Sequence, residues 1–243
     1  YKWEYQEPNS STWVSFSTTT NPSKVFNKKG TWDIRLTVSD GTASHSVTKS
    51  LTVLNRAPVA NFSWSPTTIY NDTTVTFSNN STDADKDSLT YKWEYQEPNS
   101  STWVNFSTAL NPTKIFNKKG TWDIRLTVSD GTASHSITKS LTVLNRAPIA
   151  NFSWSPTTIY NDTNVTFSNS STDADKDSLT YQWAYQEPNS STWVNFSTTA
   201  NPSKIFNKKG TWNIRLTVSD GTASHSVTKS LTVLNRAPVA NFS

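Results

Sequence analysis

The sequence repeats itself at a spacing of 90 residues, which constrains the fold more than any local motif. The stretch from Asn80 to Trp93 returns almost unchanged from Ser170 to Trp183, and its second half opens the chain as Tyr1-Lys2-Trp3. Cutting at each Asn-Arg-Ala-Pro divides the 243 residues into an incomplete unit 1–54, full units 55–144 and 145–234, and a short start of another, 235–243. A unit of 90 residues is of ordinary domain size. The 11 Trp, 11 Phe and 8 Tyr supply the large apolar groups that a core this small needs. Function therefore belongs to an array of one module.

Within 55–144 the periodicity is that of strands. Val59–Trp64 reads as a first strand after Pro58, whose missing N–H suits a strand start. Thr73–Ser78 alternates, and a polar, acidic run covers 79–88. From Leu89 to Gln96, the residues Leu89, Tyr91, Trp93 and Tyr95 face one way, and Thr90, Lys92, Glu94 and Gln96 the other. Thr121–Ser129 alternates again, Asp130-Gly131 marks a hairpin, and a return strand runs to Leu144. Lys139 has inward parity on that strand, which predicts a bulge or a place at the rim. Lys118-Lys119-Gly120 and its copies read as charged edge turns. About seven short strands per unit and no helical period predict an all-β fold of tandem immunoglobulin-like β-sandwich modules. Trp3, Trp93 and Trp183 are the expected core tryptophans.

Net charge is +4, but residues 55–144 balance to zero and 145–234 carry +1, so +3 comes from the incomplete ends. That argues against a nucleic-acid partner. Without Cys there is no disulfide framework and no thiolate metal site. No apolar run approaches the roughly 20 residues of a membrane span. Sequons for N-glycosylation occur at Asn9, Asn61, Asn71, Asn79, Asn80, Asn99, Asn105, Asn151, Asn161, Asn164, Asn169, Asn189, Asn195 and Asn241. Their density points to a decorated extracellular, cell-surface protein.

The runs Ala-Pro-Val-Ala-Asn-Phe-Ser, Ser-Thr-Asp-Ala-Asp, Leu-Thr-Tyr-Lys-Trp and Gly-Thr-Trp-Asp-Ile-Arg-Leu-Thr-Val-Ser-Asp-Gly, with a closing Leu-Thr-Val-Leu-Asn, resemble the PKD (polycystic kidney disease) repeat. The resemblance covers both full units and the later part of 1–54, and it implies a microbial surface protein, such as an archaeal one. One departure is that Trp93-Glu94-Tyr95-Gln96-Glu97-Pro98 continues as a strand where the family has an acidic, glycine-containing turn.

Asp83, Asp85 and Asp87 repel one another unless a cation or backbone N–H groups compensate, and a hard ion with oxygen ligands fits. An EF-hand is excluded, because Ser88 stands where that loop needs Gly and the following residues read as a core strand. The resemblance implies calcium at the junction of modules, held by Asn55, Asp83, Asp85 and Asp130, and in the next unit by Asn145, Asp173, Asp175 and Asp220. Solvent-facing turn formers are the alternative for the same residues. Asp130, His135 and Ser136 have the residue types of a hydrolytic triad, but His135 and Ser136 point to opposite faces of one strand, so no catalysis is expected.

The two full units differ at ten positions, several conservatively. Near-identical neighbours suit a stalk, sheath or filament that partners with further copies of itself. An adhesin or carbohydrate-binding spacer array attached to a secreted enzyme, with cell-surface glycans as partners, is the alternative. The cut positions predict a window on a longer repeat protein or strand exchange between copies.

Overall fold

The computed structural model describes residues 1–241. The incomplete unit holds β1 (Lys2–Gln6), β2 (Trp13–Ser17), β3 (Gly30–Ser39) and β4 (Ser44–Val53). The middle module has β5 (Phe62–Ser65), β6 (Thr74–Asn79), β7 (Thr90–Gln96), β8 (Trp103–Ser107), β9 (Thr113–Ile115), β10 (Gly120–Ser129) and β11 (Ser134–Val143). The third has β12 (Phe152–Ser155), β13 (Ile159–Tyr160), β14 (Asn164–Asn169), β15 (Thr180–Gln186), β16 (Trp193–Ser197), β17 (Ser203–Ile205), β18 (Gly210–Ser219) and β19 (Ser224–Leu234). Each full module is a sandwich of two sheets. In the middle module β5-β6-β9 faces β11-β10-β7-β8, and in the third β12-β14-β17 faces β13-β19-β18-β15-β16. Tandem all-β sandwich modules are what the alternation predicts.

By proximity the chain divides into two compact units. One comprises Tyr1–Thr67, Thr74–Lys114 and Thr121–Leu141; the other comprises Thr68–Thr73, Ile115–Gly120 and the residues from Thr142 on. The division runs through the middle module, so each junction between modules lies wholly inside one unit.

The core follows from alternation. Trp183 is fully buried, with its ring 5.0 Å from Phe152 and 5.3 Å from Phe167, and its indole N–H donates to Thr199 O at 2.9 Å. Ile214, Leu216 and Val218 alternate into the same cluster from β18. Trp93 is buried in the same way against Phe62 and Phe77. Trp3 departs from expectation and is only half-buried. Its sheet, β2-β1-β3-β4, has no second sheet over it among the described residues. The same cause leaves Leu51 42% exposed where its equivalents Leu141 and Leu231 are 2% and 1% exposed.

One further expectation is corrected, and one left with two alternatives is decided. The first strand starts at Phe62 rather than Val59, because the Ala60 N–H is spent on His135 Nδ1 (3.0 Å) and Val59 forms only an isolated bridge to Thr82. Lys139 takes the rim, not a bulge: its ammonium donates to Asn61 Oδ1 at 3.0 Å and to Phe62 O. In the third module the β18–β19 register runs unbroken through the equivalent Lys229. The strand expected in 235–243 and the Asn241 sequon both extend past residue 241 and so lie partly outside the described residues.

Candidate functional site

The residues richest in specific polar contacts lie where one module hands over to the next. Each acidic loop is first organised by itself. Asp83 Oδ1 accepts the N–H groups of Asp85 (2.8 Å) and Asp87 (3.2 Å), with Lys86 between them at a left-handed φ of 63°. Short polar side chains that capture nearby backbone N–H groups in this way fix a turn without a ladder. The Asp173 loop repeats the arrangement at 2.9 and 3.1 Å.

The hairpin after β10 supplies the second wall. Asp130 Oδ1 accepts from Thr132 N and Ala133 N, both at 2.7 Å, and Oδ2 accepts from the Asn55 amide at 2.9 Å. These donors, the Ala133 N–H first and the Asn55 amide next, hold its carboxyl at about 2. Asp220 is held at about 2 by Ala223 N–H and then Asn145. Asn55 and Asn145 are therefore joint residues through their amides.

Their carbonyl oxygens face a cation that belongs to the protein. Lys29 Nζ donates to Asn55 Oδ1 at 2.8 Å and to Asp87 Oδ2 at 2.9 Å, and Lys119 repeats this with Asn145 and Asp177, both at 2.8 Å. The Asp87 and Asp177 hydrogen bonds raise both lysines above the ordinary ammonium value. The turn that places them needs glycine: Gly30 has φ of 119°, and a Cβ there would stand 2.8 Å from Pro8 Cβ. Local spacing identified these lysines only as edge turns. Their partners lie 58 residues away, beyond any local motif.

The linker arginine completes the joint. Arg56 N–H donates to Asp85 Oδ2 at 2.7 Å, and Arg146 N–H to Asp175 Oδ2 at 2.6 Å. Arg146 also pairs with Asp72 and lies 4.4 Å over the Tyr70 ring, while Asn71 donates to Asp175 O at 2.7 Å. Arg236 makes the same clasp, 2.7 Å from Asp162 and over Tyr160. The incomplete unit has no counterpart of 70–72, so the Asp85 side chain is 18% exposed where that of Asp175 is 4% exposed. The groove beside Lys29 and Asp85 has a volume of about 540 Å³, and its separate counterpart beside Lys119 and Asp175 about 310 Å³.

Of the ligand sets implied by resemblance, the structure brings Asp83, Asp85 and Asp87 together, and likewise Asp173, Asp175 and Asp177, with one oxygen of each within 4.8 Å of the others. Asp87 and Asp177 stand in these trios although they were outside the expected sets. Asp130 and Asp220 are instead occupied by their own turns and by Asn55 and Asn145. Asp83 Oδ2 and Asp173 Oδ2 are buried without a partner, as an oxygen awaiting a cation would be. The donor set is of the kind that suits a hard divalent ion, with one oxygen of Asp87 and of Asp177 already taken by Lys29 and Lys119.

The triad-like residues do not converge. His135 Nδ1 accepts from Ala60 N, Ser136 Oγ pairs with Thr127, and Asp130 holds its turn. Among the sequons, Asn9, Asn99 and Asn189 are exposed with φ of 61–62°, whereas Asn71 is engaged in the joint.

Glu94 was assigned by parity to the outer face, and it lies there, yet it is 5% exposed. Its carboxylate accepts from Arg125 Nε (2.9 Å) and pairs with Lys92 (2.6 Å), and the Arg125 guanidinium stacks 4.1 Å over Trp103. Burial pushes its carboxyl up, but the Lys92 and Arg125 hydrogen bonds together outweigh that, and the net shift is downward.

The family described as PKD domain matches residues 55–144 and 145–234. Among solved structures, the chain aligns with the FN1-FN3 domains of chicken CNTN1 at 9% identity and a TM-score of 0.31, over 97% of this chain and 91% of that one. It also aligns with three N-terminal domains of the bacteriophage RB49 highly immunogenic outer capsid protein, Hoc, at 11% identity and a TM-score of 0.32, over 96% and 88%. Among the described residues no helix is long and apolar enough to cross a membrane.

Proposed function

Because the chain belongs to the PKD domain family, we propose that it is a non-catalytic structural array of the cell exterior, a stalk, sheath or filament built by joining near-identical modules. The observation that carries this is the repetition of one joint, residue for residue, at Lys29-Asn55-Asp87-Asp130 and at Lys119-Asn145-Asp177-Asp220. A module whose polar groups are spent on its neighbour is suited to serve as a spacer. The linker arginine already clasps the module it leaves, at Asp72 and at Asp162, so the next module meets an ordered acceptor.

Calcium belongs to the same reading. Asp83, Asp85 and Asp87, with their copies at 173, 175 and 177, would hold it, and the ion would supply charge compensation to the buried carboxylates. Lys29 and Lys119 already provide part of that compensation, so calcium would tighten the joint rather than create it. Exposed sequons such as Asn99 and Asn189 would carry glycan on the surface. Electron microscopy of the native material tests the proposal: extended assemblies are expected, and a population of short, soluble monomers contradicts it.

A further inference from the structure

The two full modules differ at ten positions, and three of these change charge: Lys92, Glu94 and Asp123 are replaced by Gln182, Ala184 and Asn213. All three lie on the outer face of one sheet, on the paired strands β7 and β10, or β15 and β18. The ion-pair cluster Lys92–Glu94–Arg125 over Trp103 has its copy in the incomplete unit as Lys2–Glu4–Arg35 over Trp13. In the third module only the cation and the indole remain. Arg215 stacks 4.3 Å over Trp193, opposite Ala184, and its Nε is shut off from solvent with no acceptor. A charged donor left unpaired in this way is costly, and a native structure that keeps one calls for an explanation.

We propose that Arg215 and Trp193 form a recognition site for the carboxylate of an acidic glycan, and that this carboxylate takes the place Glu94 fills in the preceding module. The guanidinium edge that grips Glu94 through Nε and Nη2 in the middle module is the edge that Ala184 leaves unused. Gln182, two residues before Ala184 on the same face of β15, is held only by two long hydrogen bonds, to Trp183 O (3.3 Å) and Ser197 O (3.4 Å). The same face carries the Trp193 indole and, at the next pair of that face along the strands, the Gln186 and Asn213 amides bonded to each other at 2.9 Å, a polar and aromatic surface suited to a hydroxylated ring. The site sits on a sheet face rather than an edge, so an acidic peptide would find no ladder of backbone groups to join. A uronic acid residue brings ring and carboxylate together. The third module thereby becomes the distinctive unit in an otherwise uniform array, a role beyond spacing.

The test is an NMR titration of the ¹⁵N-labelled chain with tetragalacturonate, reading the Arg side-chain Nε–H signals. Saturable movement of the Arg215 signal is expected, with Arg125 unmoved and with no response to the fully methyl-esterified tetramer. Ala184→Glu restores the carboxylate already tolerated at Glu94, so the fold should persist while affinity drops at least tenfold. The double change Lys92→Gln and Glu94→Ala should raise the stoichiometry from one site to two. An unmoved Arg215 signal, an equal response to the ester, or undiminished binding by A184E overturns the proposal. A response to tetraglutamate as strong as to tetragalacturonate also overturns it, in favour of a protein partner. None of these outcomes bears on the spacer reading, which microscopy tests separately.

Discussion

Lys119 Nζ lies 2.8 Å from Asp177 Oδ2, joining residues 58 positions apart, and the same ammonium lies 2.8 Å from Asn145 Oδ1. One side chain thereby connects a turn, the linker and an acidic loop. Both partners are about one-third exposed, at 32% and 31%, so solvent screens the pair and its direct contribution is modest, on the order of 1 kcal/mol or less. Its value is positional, because the oxygen it holds orients the amide that Asp220 receives at 2.9 Å.

Acid should open the joint before alkali does. Asp130 and Asp220 have folded values lowered to about 2, so their contribution is present above the unfolded value of roughly 3.9 and is lost as pH falls toward about 2. Lys29 and Lys119 are raised, so theirs is complete below about 10.4 and is lost only as pH climbs through the higher folded values. Urea melts across pH should show an acid limb between about 4 and 2. Asp130→Asn with Asp220→Asn should flatten that limb, and a variant indistinguishable from the native chain contradicts the assignment.

The two carboxylates beside Arg146 should differ sharply in worth. Asp72 has a 65% exposed side chain, so solvent screens its pair with Arg146 and Asp72→Asn should leave stability almost unchanged. The Asp175 side chain is 4% exposed and accepts the Arg146 N–H, so Asp175→Asn should cost about 1–3 kcal/mol. Chemical denaturation of the two variants checks the order; equal costs would be inconsistent with burial as the cause.

Trp93→Ala should destabilise the middle module by about 3–5 kcal/mol, the range for removing a fully buried large aromatic. Trp3→Ala, at a half-buried site, should cost clearly less. Near-ultraviolet circular dichroism during melting separates them, and comparable losses would contradict the difference in packing.

Calcium at millimolar concentration should raise the melting midpoint relative to a chelated sample, by linkage to the folded state alone. Asp83→Asn with Asp173→Asn should abolish the rise. An unchanged midpoint in the native chain argues against a structural ion and leaves the lysines as the joint's cations.

Much of the fold could be read from residue periodicity, because alternation over β7 and β10 is governed by the short-range geometry of a strand. Trp93 and the Asp130-Gly131 hairpin stand where parity and turn chemistry place them. The joint was legible as a location, through the recurrence of Asp83 and Asp85 beside the linker, but not as a mechanism. Lys29 has no local signature that separates it from Lys28, and only the folded chain brings it to Asp87. Glu94 shows the same limit: parity assigns a face, whereas burial depends on Arg125 and Trp103 closing over it from neighbouring strands. The delayed start at Phe62 was hidden because His135, far along the chain, takes the Ala60 N–H.

Amide hydrogen exchange at Arg56 and Arg146 bears most directly on a joint held by the protein's own charges. These N–H groups donate to Asp85 at 2.7 Å and Asp175 at 2.6 Å, so their protection reports whether the acidic loops stay docked on the linker. With Lys29→Ala and Lys119→Ala together, both amides should exchange about fivefold faster, while core amides such as that of Leu126 stay unchanged. Equal protection of Arg56 and Arg146 in the native chain and the double variant would contradict a lysine-held joint.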